Sequence, residues 1–337
     1  MHFTLALPSL NRNTSVSLPE TVLPSLNKMM RFGAYTATPA RPSEFYGRFL
    51  WRGSLLENAK SALDIDTDRA AVFASPVWQQ MGMHHMDMLD GSNIKIQVHE
   101  AEALCRGLND FLQEDGWHFS LLRPDLWLAT LPGQPDWQIA PVLDVLGRID
   151  GSIRPEGCSS RTWLQKQTEI QMWLHAHPLN AGRTAVQMPA VNGVWLWQDM
   201  AGSQTGTPFL GSSSPWAQFY PGSRTDAPYD FNAWLEMVRE HGRPVSDSLL
   251  FLDDLAVTLH TDDVWAYKDI LESWEQRWFA PLWQALQQGR LNSLTIATDG
   301  EKGGSLTLNP KSIRAFWKKK KVFAGSLDGL KSNSDNL

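Results

Sequence analysis

The stretch NIKIQVHEAEALCRGLNDFLQEDGWHFSLLRPDLWLATL, residues 93–131, changes its hydrophobic period twice. Ile94, Ile96 and Val98 alternate as in a strand. Ala103, Leu104, Leu108, Phe111 and Leu112 then repeat at helical spacing as far as Gly116. Residues 117–131 return to strand-like text. A strand, a helix and further strand text in succession make one α/β unit, and the chain on either side is read outward from it.

Upstream, FTLALPSL (3–10) is a short apolar run ended by Pro8, expected as a buried first strand. PSLNKMMRFG (24–33) places Leu26, Met29 and Met30 on one side and stops at Gly33, which predicts a short helix. RPSEFYGRFL (41–50) and GSLLENAKSALD (53–64) also read as helices, and RAAVFASPVW (69–78) as a strand before a Ser-Pro break. Downstream, residues 159–177 form a helix led by Ser159 or Ser160 and closed by Pro178, followed by the buried strand GVWLW (193–197). Residues 199–223, rich in Gly, Ser and Pro, are expected as a linker or long loop. DSLLFLDDLA (247–256) reads as a strand, and residues 261–289 as one long amphipathic helix with Thr261 as its N-cap. SLTIAT and GSLTL are closing strands. The tail, 321–337, lacks core residues after Phe323 and is expected to be disordered.

A chain of 337 residues exceeds what one core usually serves, so two domains or a large insertion are expected. A net charge of −6 argues against a general nucleic-acid binder, which needs a basic face. Cys105 and Cys158 stand far apart and offer neither a CxxC pair nor a disulfide framework, as expected for a reducing cytoplasm. No stretch approaches the ~18 apolar residues of a membrane helix, and the first residues make a poor secretory signal. Most of the sixteen tryptophans fall in apolar periodic segments, where they are expected to pack the core.

MGMHHMDM (81–88) gathers thioethers and imidazoles, a donor set suited to Cu(I). In an extended strand Met81, Met83 and His85 share one face, and Gly82, His84, Met86 and Met88 the other. Adjacent His84 and His85 then diverge. An edge strand or hairpin with adaptable methionine packing is the expectation.

No Gly-rich phosphate loop, GxSxG elbow, HExxH or EF-hand loop is present. The most specific polar text is LHAHPLNAGRTAVQMPAVNGVWLW (174–197). His177, Asn180, Arg183 and Asn192 stand beside turns, where polar groups gather to receive an anion. The alternative is that they cap turns and helix ends.

That segment resembles the HPVN…R…G…PAN…IWLWG region of archaeal-type, cofactor-independent phosphoglycerate mutases of the alkaline phosphatase superfamily. Residues 88–131 resemble their DRRAGRI…EA..L…L region. SPVW, EIQMWLHAHPLN and WFAPLWQALQQGRLNSLTIAT are closer still to a bacterial set of relatives, the RpfE-type regulatory proteins. The likeness spans roughly residues 3–317. It implies an alkaline-phosphatase-like mixed sheet flanked by helices, built from 1–74 and 201–320, with a smaller α/β domain (75–200) inserted. It also implies a substrate site at His177, Asn180, Arg183 and Asn192. Enzymes of this superfamily hold two divalent metals, Mn, Zn or Mg, beside a Ser or Thr nucleophile.

Carried over position by position, the metal centre is eroded. The first strand is followed by Asn11 with no acid, and the nucleophile turn offers Ser43 without its glycine and asparagine. LDDLAVTLHTDD keeps His260 and Asp263 but has Ala256 for an acid, and TDGEKG keeps Asp299 with Gly300 for a histidine. Three remnant ligands fall short of the about six that two metals need, so no cofactor is expected. The expectation is a cytoplasmic, non-catalytic regulatory or ligand-binding relative that takes a small phosphorylated or carboxylate metabolite, with neither nucleic acid nor membrane as partner. The alternatives are an active mutase or phosphatase using Ser43 with Mn, Zn or Mg, and a scaffold for a protein partner.

Overall fold

The computed structural model describes residues 1–12, 17–83, 85–150, 153–241, 246–314 and 317–329. In chain order the elements are β1 (His2–Ala6), α1 (Pro24–Phe32), β2 (Ala34–Ala37), α2 (Pro42–Leu50), β3 (Arg52–Ser54) and α3 (Leu55–Ala62). Next come β4 (Ala71–Met81), β5 (His85–Asp90), α4 (Val98–Phe111), β6 (His118–Arg123), β7 (Leu126–Thr130) and β8 (Gly147–Asp150). Then follow α5 (Ser160–His175), α6 (Pro178–Ala185), β9 (Gly193–Trp197), β10 (Ala201–Ser203), β11 (Phe209–Gly211) and β12 (Arg224–Thr225). The last are α7 (Phe231–Glu240), β13 (Asp247–Phe251), α8 (Asp254–His260), α9 (Val264–Trp274), α10 (Ala280–Gln287), β14 (Ser293–Thr298) and β15 (Gly304–Leu308). The chain divides into two compact units, Met1–Arg52 with Gly202–Leu337, and Gly53–Ala201. Residues 53–74, expected with the chain ends, belong to the middle unit, because α3 packs on β4. No helix of the described residues is long and apolar enough to cross a membrane.

The unit built from both ends holds a mixed seven-stranded sheet in the order β12-β11-β13-β1-β14-β15-β2. β11, β13, β1 and β14 run parallel, whereas β15 and β2 join antiparallel. Residues of β1 and β13 alternate between faces. Phe3, Leu5, Leu250 and Leu252 enter a core with Leu26 of α1, Trp234 of α7, Tyr267 and Leu271 of α9, and Leu282 of α10. On the other face Phe251 meets Tyr46 and Phe45 of α2, with ring centroids 4.9 and 6.2 Å apart. The mixed α/β fold with helix-flanked sheet follows from this arrangement.

Three expectations for this unit are corrected. Residues 199–223 are not merely a loop: Phe209 and Leu210 are buried and β11 pairs with both β12 and β13. The expected helix 261–289 is two helices joined by a π turn, Glu275–Phe279, and Asp263 rather than Thr261 caps it. The tail is described as far as residue 329, and there Phe323 and Leu327 are buried. Backbone N–H groups of Phe323 and Leu327 donate to the side chains of Asn27 and Asn11 at 2.7 and 2.9 Å, which anchors them. Residues 330–337 of the expected disorder lie outside the described residues.

The π turn brings a buried carboxylate to a helix start. α1 has no side-chain cap of its own, and Glu275 accepts from the N–H groups of Ser25 at 2.7 Å and Leu26 at 3.2 Å. An anion there satisfies orphan donors and meets the positive end of the helix. Glu275→Ala is expected to lower stability by about 1–3 kcal/mol, with Glu275→Gln losing less because one oxygen acceptor survives. Urea unfolding reads the difference; equal stability of all three proteins would show that α1 starts without this cap.

The middle unit is antiparallel throughout: β6-β7-β4-β5-β8, with β9 also paired to β4. β4 runs through the expected break at Pro76, because β7 pairs residues 71–74 and β5 pairs 77–81. Neither pairs Pro76, so its missing N–H disrupts neither ladder, and β9 carries the strand across it with Val194 opposite Pro76. The expected strand 94–98 is instead a turn leading into α4. Ile94 and Ile96 are buried, but Lys95 between them has φ of 55° and the backbone folds back onto Asp90 and Gly91. The outer edge of β9 is covered by α5: Trp163 Nε1 donates to Leu196 O at 2.9 Å and Gln167 Nε2 to Val194 O at 2.7 Å. Such donors blunt a strand edge that would otherwise template pairing.

Candidate functional site

In open sheets with parallel strands, ligands gather beyond the carboxyl ends of those strands. Here β13, β1 and β14 lead into Asp253, the segment 7–12, and Asp299. Asp253 and Asp299 follow strands on either side of β1, two strand spacings or roughly 10 Å apart. Asp299 is 4% exposed and accepts from the backbone N–H of Ser9 at 2.6 Å. Ser9 adopts φ of 65°, a left-handed conformation held in place by that bond. The turn after Asp299 is tight, since a Cβ on Gly303 would lie 2.8 Å from the Asp299 carbonyl carbon.

Asp253 accepts from the hydroxyl of Tyr46 at 3.2 Å. Burial raises its carboxyl above the ordinary carboxylate range, against the opposing effect of the Ser214 and Tyr46 hydroxyls. The guanidinium of Arg12 lies 5.0 Å from the ring centroid of Tyr267, whose hydroxyl donates to Leu10 O at 2.5 Å. Burial lowers the pKa of Arg12, with Tyr267 and Asp262 acting against it. Asp253, Tyr46 and Arg12 are additions to the residues expected from the sequence. The signal for Asp253 was present: an apolar strand, SLLFL, running straight into two aspartates.

The expected ligands stand apart in role. His260 is the last residue of α8, and burial pushes its imidazole down to about 4. Asp263 caps α9, accepting from Ala266 N–H at 2.9 Å. Ser43 is buried in the first turn of α2 behind Pro42. Among the described residues, no group of three or more His, Cys, Asp or Glu side chains is placed to hold a metal ion. With one oxygen of Asp263 and one of Asp299 accepting from backbone amides, this donor set does not fit a two-metal centre.

The polar residues of 174–197 are consumed inside the middle unit. His177 caps α6 through Leu179 N–H at 3.2 Å and its ring lies 4.7 Å from that of Trp173. Asn180 accepts from Val191 N–H and donates to Val191 O, both at 2.8 Å. Asn192 does the same with Gln79, again at 2.8 Å, so each amide imitates a paired strand residue. Arg183 is 3% exposed; its guanidinium donates to Pro189 O at 2.7 Å, to Glu100 Oε2 at 2.6 Å, and to Ile94 O. The expected anion receptor is a brace, because backbone carbonyls and Glu100 already occupy the fork.

No family model matches the chain, and no curated protein matches it. Among solved structures, the cofactor-independent phosphoglycerate mutase from Thermoplasma acidophilum is similar at 13% identity and a TM-score of 0.39, covering 91% of this chain and 89% of that one. The PH0037 protein of Pyrococcus horikoshii is similar at 11% identity and a TM-score of 0.49, covering 91% and 87%.

Proposed function

We propose that this chain is a phosphoglycerate-mutase-like protein that binds a small phosphorylated or carboxylate metabolite without turning it over, in a regulatory role of the kind held by RpfE-type proteins. The observation that supports it is the state of the carboxyl edge. One oxygen of Asp299 accepts from Ser9, half-buried Asp253 accepts from the Tyr46 hydroxyl, and Arg12 brings a guanidinium to the segment between them. Such an edge is no ligand cage for a cation, and the Arg12 guanidinium is the group through which an oxyanion would be met.

Metal-stripped protein is expected to melt at the same temperature with and without millimolar Mn²⁺ or Zn²⁺, and to leave 3-phosphoglycerate unchanged. A site at 100-fold its Kd would add ~2.7 kcal/mol, a rise of several degrees. Such a rise, or metal-dependent conversion of 3-phosphoglycerate, overturns the reading in favour of an active mutase or phosphatase. In the same assay 3-phosphoglycerate alone is expected to raise the melting temperature of the wild type and not of Arg12→Ala.

A further inference from the structure

The methionine-rich stretch at residues 81–88 lies in the middle unit. β4 and β5 pair out to the tip of a ribbon, with Met81 opposite Met86 and Gly82 N–H donating to His85 O at 2.8 Å. Residues directly opposite on an antiparallel pair share a face, with Cβ atoms about 5 Å apart. The hairpin therefore brings together Met81 and Met86, which an extended strand would separate. Met83 stands in the turn between them. Met88 is fully buried and belongs to the packing, but Met81 is 76% and Met83 90% exposed. Packing among the described residues does not cover these two side chains.

The imidazole is held elsewhere. His85 folds over Gly82, where a Cβ would lie 2.8 Å from its Nε2, and that nitrogen is 3.4 Å from Asp87 Oδ2. Strand alternation puts His85 and Asp87 on the face opposite Met86. The two faces thus separate nitrogen and oxygen donors from sulfur donors.

We propose that Met81, Met83 and Met86 form a thioether site for a soft monovalent ion, Cu(I), at the tip of this hairpin. Thioethers select Cu(I) against Zn²⁺, Mg²⁺ and Mn²⁺, which prefer imidazole and oxygen. Three rotatable bonds in each side chain let the sulfurs converge without backbone movement.

The test uses the full chain with methyl-labelled methionine, under reducing conditions and with a chromophoric Cu(I) competitor. One equivalent of Cu(I), or of Ag(I) as a redox-inert probe, is expected to shift the Met81, Met83 and Met86 methyl resonances. The rest of the eleven methionines should stay unchanged. Met81→Leu/Met86→Leu is expected to weaken Cu(I) by at least about tenfold, whereas His85→Ala leaves it unchanged. Leucine for methionine nearly conserves volume, so the fold should tolerate the exchange, which far-UV circular dichroism checks. Absence of Cu(I) binding, retention of it by the double variant, or displacement by Zn²⁺ overturns the proposal. If the double variant fails to fold, methyl shifts confined to other methionines of the wild type overturn it equally.

Discussion

Arg183→Met is expected to lower the stability of the middle unit by about 3–5 kcal/mol, among the largest effects of any single replacement in the chain. The guanidinium ties the turn after α6, through Pro189 O, to a segment more than 80 residues earlier, through Ile94 O in the turn before α4 and Glu100 at its start. Its side chain is 2% exposed and that of Glu100 is 12% exposed, so water cannot replace what is removed. A methionine would leave the Glu100 carboxylate without its cation and two carbonyls without their donor. Arg183→Lys should fall between, since an ammonium can keep Glu100 but cannot reproduce the fork. Arg183→Met/Glu100→Gln should be less damaged than the sum of its parts, because the stranded charge is gone. Urea unfolding, with hydrogen exchange over 94–111 and 178–192, locates the loss. A single variant within about 0.5 kcal/mol of wild type would mean that the brace is not formed in solution.

Arg183 also marks where sequence reading of the site stops. Its neighbours in sequence, two turns with asparagines and a histidine-proline step, are compatible with an anion receptor and with a brace. What separates them is Glu100, 83 residues away, whose approach no local pattern encodes. Asn180 and Asn192 carry the same ambiguity, since an amide that can orient a ligand can equally imitate a strand residue. The opposite error concerns Asp253, which stands at a strand end in plain view. The family motif instead aligns its acid with Ala256, five residues on from β13, so the motif does not point to Asp253.

The fold was more legible because burial acts on period. The segments 3–10, 247–256 and 293–298 read as strands, and the structure places parts of them side by side in parallel. The period misled where two different backbones bury alternate residues. Ile94 and Ile96 enter the core from a turn with Lys95 at positive φ, which alternation alone cannot distinguish from a strand. Pro76 misled differently, since a proline disrupts a strand only where a neighbour needs its N–H.

His260 supplies the second large expected effect, as a dependence on pH. Burial disfavours its charged form and pushes it down to about 4, against 6.5 as the ordinary value. Above pH 6.5 the imidazole is neutral whether the chain is folded or not, and it contributes nothing. As pH falls from 6.5 to 4 the unfolded chain binds a proton that the folded chain refuses, so stability drops with pH. The total is about 3 kcal/mol, complete below pH 4. Asp253 has the opposite sign: its carboxyl is raised in the folded state, so stability falls as pH rises from the ordinary aspartate value through the folded one. Subtracting the pH profile of His260→Asn from that of the wild type isolates the histidine, because Asp253 and the other acids contribute to both. The wild type should lose about 3 kcal/mol more than the variant between pH 7 and 4. Parallel profiles, or an imidazole resonance of the folded protein that titrates near pH 6.5, would show that His260 is open to solvent at the end of α8.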